Sequence, residues 1–144
     1  MSRPNQNKEI LKRISYMLRN FAISFTAVMI VFPIFSMLGY FSPLNNVLVL
    51  QILAICFGVS LVQFLTGLIP VGSELLHNII QFLDMYFVMM LLGAGVFKIF
   101  PISVPGFVIP GVFGIIVFVM VWTVAYLSAY RKVQEINRII QARK

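Results

Sequence analysis

Acid is almost missing from this chain. Among 144 residues there are four carboxylates, Glu9, Glu74, Asp84 and Glu135, and a single histidine, His77. No two of the acids are spaced as a general acid–base pair, and no nucleophile triad or Gly-rich phosphate loop is present. No catalytic residue and no enzyme activity are expected. Thiols are equally scarce. Cys56 is the one cysteine, which excludes an intramolecular disulfide, and one Cys with one His does not make a metal site. Neither a metal nor a cofactor is expected, and Cys56 reads as a small packing residue in an apolar run. Charge of either sign reaches only 10% of residues, against about a quarter in soluble domains.

What replaces charge is apolar surface, at 60% of residues. A single domain of this size has too little interior to hide so much of it, so hydrocarbon is the expected solvent. The net charge of +7 belongs to the ends. Arg3, Lys8, Lys12, Arg13 and Arg19 precede the first apolar run; Arg131, Lys132, Arg138, Arg143 and Lys144 follow the last; only Lys98 lies between. Basic ends around an apolar body are a topology signal and not a nucleic-acid-binding face, so no direct nucleic-acid contact is expected.

The expected fold is all-α and integral to a membrane: a four-transmembrane-helix bundle with amphipathic N- and C-terminal cytoplasmic helices. Residues 1–20 form a basic segment, 21–130 the membrane domain and 131–144 a basic tail. Spans are expected at 21–40, 47–69, 75–97 and 108–130, each long enough to cross about 30 Å of hydrocarbon. No small-residue cleavage site follows the first span, so a removable signal peptide is not expected. Pro33 should kink that span. Pro70, Val71, Gly72 and Ser73 make a tight turn, with Ser73 as N-cap of the third span. Residues 98–107, with Pro101, Pro105 and Gly106, should be irregular and lie outside the membrane core. Pro110 and Gly111 then open the fourth span, where a missing N–H does no harm. Four spans place both termini on one side, and the basic tails assign that side to the cytoplasm.

The tails are patterned. Ile10, Leu11, Ile14, Met17 and Leu18 form one helical face with Lys8, Lys12, Arg13 and Arg19 largely outside it. Either this is a separate helix on the membrane surface or it continues the first span. Val133, Ile136, Ile139 and Ile140 form a narrower stripe. That segment either lies on the membrane, extends the fourth helix, or docks on a protein.

The third span is the least apolar. Glu74, His77, Gln81 and Asp84 share one helical face, and counting from the start of the span sets Asp84 about 13 Å deep, close to the bilayer centre. The twelve Leu, Ile, Phe and Val residues of 75–97 supply roughly −4 to −7 kcal/mol of insertion free energy, against roughly +3 for a central ionised Asp. The helix inserts, but its polar stripe must face the bundle interior, a partner chain in a homo-oligomer, or a water-filled cavity. Gln63, Ser60 and Thr66 on the second span are the candidate partners. Two readings stay open. Asp84 is either glue between helices or, with His77, part of a relay in a small proton- or cation-coupled transporter or channel subunit.

Three short motifs carry a resemblance. Glu74-Leu75-Leu76-His77 heads the third span, Val121-Trp122-Thr123-Val124-Ala125-Tyr126 ends the fourth, and Val133-Gln134-Glu135-Ile136-Asn137 follows the basic stop. From Gln51 to the C-terminus the chain resembles a family of small bacterial four-span membrane proteins of unknown function. Members are often encoded beside a LytTR-type transcription regulator. His77, Trp122, Tyr126 and Asn137 match the pattern, and Asp84 has no counterpart in it. The resemblance implies a protein of the bacterial plasma membrane that binds and restrains a cytoplasmic LytTR-type regulator. The lipid bilayer and that regulator are then the expected partners. Lys12, Arg13, Arg131, Lys132, Ile136, Asn137 and Ile140 are the docking candidates, along with the turn at Pro70 to Glu74.

The charge pattern makes one prediction. Tags fused to either terminus resist protease added outside intact cells and are cut once the cells are permeabilised; cleavage of either tag in intact cells contradicts the assignment.

Overall fold

The computed structural model describes residues 3–69 and 72–142. They form four long helices: α1 (Arg3–Met37), α2 (Asn46–Thr66), α3 (Glu74–Met90) and α4 (Val104–Ala142). A π-helical segment, Leu91–Val96, continues α3. No strand occurs among the described residues. All four helices contain stretches long and apolar enough to cross a membrane, and the chain is a multi-pass membrane protein built as a four-helix bundle.

Local chemistry sets the helix ends. α1 stops at Met37 and not at Tyr40, because Gly39 takes a left-handed backbone (φ 81°) that L-residues disfavour. The Gly39 and Tyr40 N–H groups return to the Ser36 and Phe35 carbonyls, closing a Schellman motif, and the Phe35 and Tyr40 rings lie 6.0 Å apart across it. α2 begins behind Asn45, whose Oδ1 accepts the Leu48 N–H at 2.8 Å. It ends at Thr66, three residues short of the expected Ile69, and Gly67, Leu68 and Ile69 turn back onto the carbonyls of Gln63, Leu65 and Thr66. Ser73 does occupy the N-cap of α3, but its hydroxyl makes no capping bond; its carbonyl accepts the His77 N–H. Pro70 and Val71 of the expected turn lie outside the described residues.

The largest departure is at the start of α4. The helix begins at Val104, so Pro105 and Gly106 belong to its first turn and not to a loop. Ser103 caps it, its Oγ accepting the Gly106 N–H at 3.3 Å. Pro110 is therefore interior to the helix, where its ring removes the bond to the Gly106 carbonyl, and it is among the most deeply buried residues. Position does not make this proline harmless; the packing around it does. The remaining loop, residues 97–103, is not free of the bundle either. Phe100 folds inward to 7% exposure against Gly93, and the Ile99 N–H bonds the Gly93 carbonyl at 2.7 Å.

Both tails are continuous with their spans. α1 runs through Pro33 without a break, and α4 runs on past Tyr130 to Ala142. At 1.5 Å per residue these helices are about 52 and 58 Å long, far more than a bilayer core needs. Among the described residues no separate surface helix is formed at either end. Each tail overhangs at the end of the bundle that carries both termini, here called the terminal end.

The helices pack in a ring, α1 on α2, α2 on α3, α3 on α4 and α4 back on α1, with the diagonal pairs apart. The buried core lies toward the opposite, loop end: Ala27, Val31 and Phe32 on α1, Met85, Val88 and Met89 on α3, and Phe113 and Val117 on α4. There Phe113 meets Phe35 and Phe41 edge-on, each at 5.3 Å, and Phe41 lies 5.5 Å from Phe100. Small residues bring backbones close: a Cβ on Gly58 would meet Leu92 and Val88, and one on Gly114 would meet Met85. Hydrocarbon is as apolar as these side chains, so this end is held by fit and dispersion more than by burial itself.

Gly106 tests that fit. A Cβ there would overlap the Pro101 carbonyl oxygen, which is backbone and cannot move aside, whereas a Cβ on Gly95 meets nothing. Gly106→Ala should cost about 1–3 kcal/mol, and Gly95→Ala less than about 0.5 kcal/mol, in unfolding followed in detergent. Equal stability of the two variants would show that the close approach is wrong.

Candidate functional site

Polar residues on three helices leave the terminal half of the ring unfilled. Glu74, His77, Asn78 and Gln81 on α3 face Tyr16, Asn20 and Ser24 on α1 across a cavity of about 650 Å³. Gln63 of α2 and Trp122, Ala125, Tyr126 and Ala129 of α4 complete its wall. Its lining also includes the apolar Cys56, Val59, Met89 and Phe113, and Phe113 belongs to the aromatic cluster of the loop end. A space of this size with a polar wall holds water or one small solute.

The stripe read from the sequence divides here. Glu74, His77 and Gln81 line the cavity, as does Gln63. Asp84 does not line it. At 100° per residue Asp84 sits about 60° round the helix from Gln81, which turns it toward α2. Thr66 Oγ1 donates to Asp84 Oδ2 at 2.7 Å. Thr66 is the last residue of α2, so the carboxylate lies level with the end of that helix and not beside its middle. The two helices are offset lengthwise, and along α3 itself Asp84 stays near the middle of the apolar stretch Glu74–Val96.

The other polar contacts stitch α2 to α3. Gln63 Nε2 donates to the Gln81 carbonyl at 3.2 Å, and Gln81 Nε2 lies 2.8 Å from His77 Nε2. The Gln81 amide and the His77 imidazole therefore pair along one face of α3. Of the three candidate partners for Asp84, Thr66 is the one that bonds it, and Gln63 is used elsewhere. Ser60, 3% exposed, has no hydrogen-bond partner for its Oγ among the described residues.

Three of the four residues that carry the family resemblance, His77, Trp122 and Tyr126, line this one cavity, and the Trp122 and Tyr126 rings stack at 5.7 Å. The side chain of the fourth, Asn137, lies outside those described, as does that of Lys132. The remaining docking candidates are all exposed: Lys12 and Arg13 on α1, and Arg131, Ile136 and Ile140 on α4. Sequence reading passed over Tyr16, Asn20 and Ser24. Their i, i+4, i+8 spacing was the available signal for a wetted face on α1. Among the described residues no group of three His, Cys, Asp or Glu could hold a metal ion. No family model, curated protein or solved structure matches the chain.

The Thr66–Asp84 bond makes a prediction. Thr66→Val should cost about 1–3 kcal/mol, since it leaves a partly buried carboxylate without its donor. Thr66→Val with Asp84→Leu, which removes both groups, should recover most of that loss in unfolding measured in detergent. Additive losses would mean the two side chains do not interact.

Proposed function

We propose that this chain is a regulatory protein of the bacterial plasma membrane that holds a cytoplasmic transcription regulator of the LytTR type through its projecting helices. The observation that carries the reading is the overhang of α1 and α4 at a single end of the bundle. Ile10, Leu11, Ile14 and Leu18 on one overhang are 39–64% exposed, and Val133, Ile136, Ile139 and Ile140 on the other are 51–56% exposed. Apolar stripes on helices that extend past the hydrocarbon lose contact with lipid, and a protein groove is a natural cover for such a stripe. Basic residues beside them, Arg13 and Arg131 among them, suit an acidic partner surface. The resemblance from Gln51 onward supplies the identity of the partner; the helices supply the means of holding it.

A second reading is favoured by the cavity. It opens at the terminal end and reaches the middle of the bundle, as the binding site of a small transporter or channel subunit would. In that reading the ionisable groups that touch the solute are Glu74 and His77, with Asp84 one helix face away.

The two readings separate experimentally. Under the first, the full chain in detergent captures the neighbouring-gene regulator, and removal of Val133 to Lys144 or of Lys8 to Arg19 weakens capture at least about tenfold, the loss expected of a central apolar contact set. Capture that survives both deletions refutes docking on the overhangs. Under the second, purified protein in liposomes passes a cation or proton, and Asp84→Asn or Glu74→Gln reduces the flux.

A further inference from the structure

Two walls of the 650 Å³ cavity differ in kind. From α3 come the polar side chains of Glu74, His77, Asn78 and Gln81. The α4 wall carries no charge: Trp122 and Tyr126 stand toward the terminal end, and Val121 and Phe118 follow along the helix toward the loop end. The sign of the lining runs against the chain as a whole. The sequence holds 11 Lys and Arg against 4 Asp and Glu, yet the cavity is lined by Glu74 and by no Lys or Arg. Lys12 and Arg13 belong to a second crevice, between α1 and α2. Arg19 stands over the Tyr16 ring, 5.0 Å from its centre, and does not line the cavity, so that ring is already engaged by a cation of the chain. Trp122 and Tyr126 carry no such guest; they stack on each other.

We infer that the cavity binds an organic monocation, an amine or quaternary ammonium with an apolar body, its charged head between Glu74 and the Trp122–Tyr126 pair and its body along Val121 and Phe118. The carboxylate attracts the head directly, and indole and phenol rings attract it through their quadrupoles. The apolar wall of α4 then takes the body out of water, as the walls of small-molecule sites do. Other ligand classes fit worse. An anion meets no Lys or Arg. A neutral apolar solute leaves Glu74 and the amides of Asn78 and Gln81 unmatched. An inorganic divalent ion needs several oxygen ligands together, and among the described residues no group of three His, Cys, Asp or Glu could supply them. The inference rests on the reading of the cavity as a solute site and names the class of solute; it holds whether that solute crosses the membrane or only occupies the bundle.

The test uses the full chain in nonionic detergent. Binding is read by equilibrium dialysis against protein-free micelles and by the emission of Trp122, the one tryptophan of the chain. Three benzyl compounds of similar shape serve as probes: benzyltrimethylammonium, the neutral benzyl methyl sulfone and the anionic phenylmethanesulfonate. The cation should bind at one per chain, shift the Trp122 emission, and bind at least about tenfold more tightly than the sulfone, with the sulfonate weakest. Glu74→Gln should weaken the cation about tenfold and Tyr126→Leu about fivefold, with the sulfone unmoved by either. Glu135→Gln removes the same charge from the α4 overhang and should change nothing. Equal binding of the three probes overturns the proposal while leaving the cavity a solute site. Displacement of the cation by sodium at the same concentration also overturns it, as does a Glu135→Gln loss matching that of Glu74→Gln. Binding of none of the probes removes the solute-site reading along with it. The comparison of probes on the unaltered chain needs no variant, and circular dichroism of each variant separates lost binding from lost fold.

Discussion

Hydrocarbon satisfies no hydrogen bond, and the helix ends and the α2–α3 contacts of this molecule answer to that constraint. The backbone pays it by staying helical through each span, with Asn45, Gly39 and Ser103 closing the ends that helices leave open. Side chains meet it by pairing inward. The Thr66 hydroxyl takes the Asp84 carboxylate, and Gln63 takes the Gln81 carbonyl, so two polar groups on α2 become the adhesive that α3 needs. In water such contacts would be replaceable by solvent. Between membrane helices they decide which faces meet.

The same constraint divides the bundle lengthwise. At the loop end, Phe32, Phe35, Phe41, Phe100 and Phe113 fill the ring, and glycines at 58, 93 and 114 let the helices close around them. At the terminal end, His77, Asn78, Gln81, Asn20 and Ser24 line the part of the ring that side chains leave unfilled. Two of the four helices that wall this cavity, α1 and α4, are the ones that overhang it. Tyr16 and Tyr126 set both of these helices in the cavity wall.

Much of this was legible in the residues alone. Four apolar runs gave four helices, and the i, i+3, i+7 spacing of Glu74, His77 and Gln81 gave a shared polar face that the structure turns inward. The misses have physical causes. Pro110 looked like a helix start because a proline is cheap there, but packing holds it in the interior of α4. The residues left each tail open between a separate segment and a continuation of its span, and the continuation is what forms, since a helix needs no hydrophobicity to continue once nucleated. Tyr16, Asn20 and Ser24 went unremarked because each is unexceptional by itself.

Composition and periodicity act within one helix, and they alone determined that the chain enters a membrane, how many times it crosses, and which face of α3 must avoid lipid. Tertiary structure decided what lies opposite that face. The lengthwise offset of α2 against α3 gives Asp84 to Thr66, the ring order gives His77 to the cavity, and the α3–α4 contact sets Glu74 in the same cavity as Trp122. Offsets and neighbours of this kind come from the fit of side chains far apart in sequence, and no pattern inside one segment contains them.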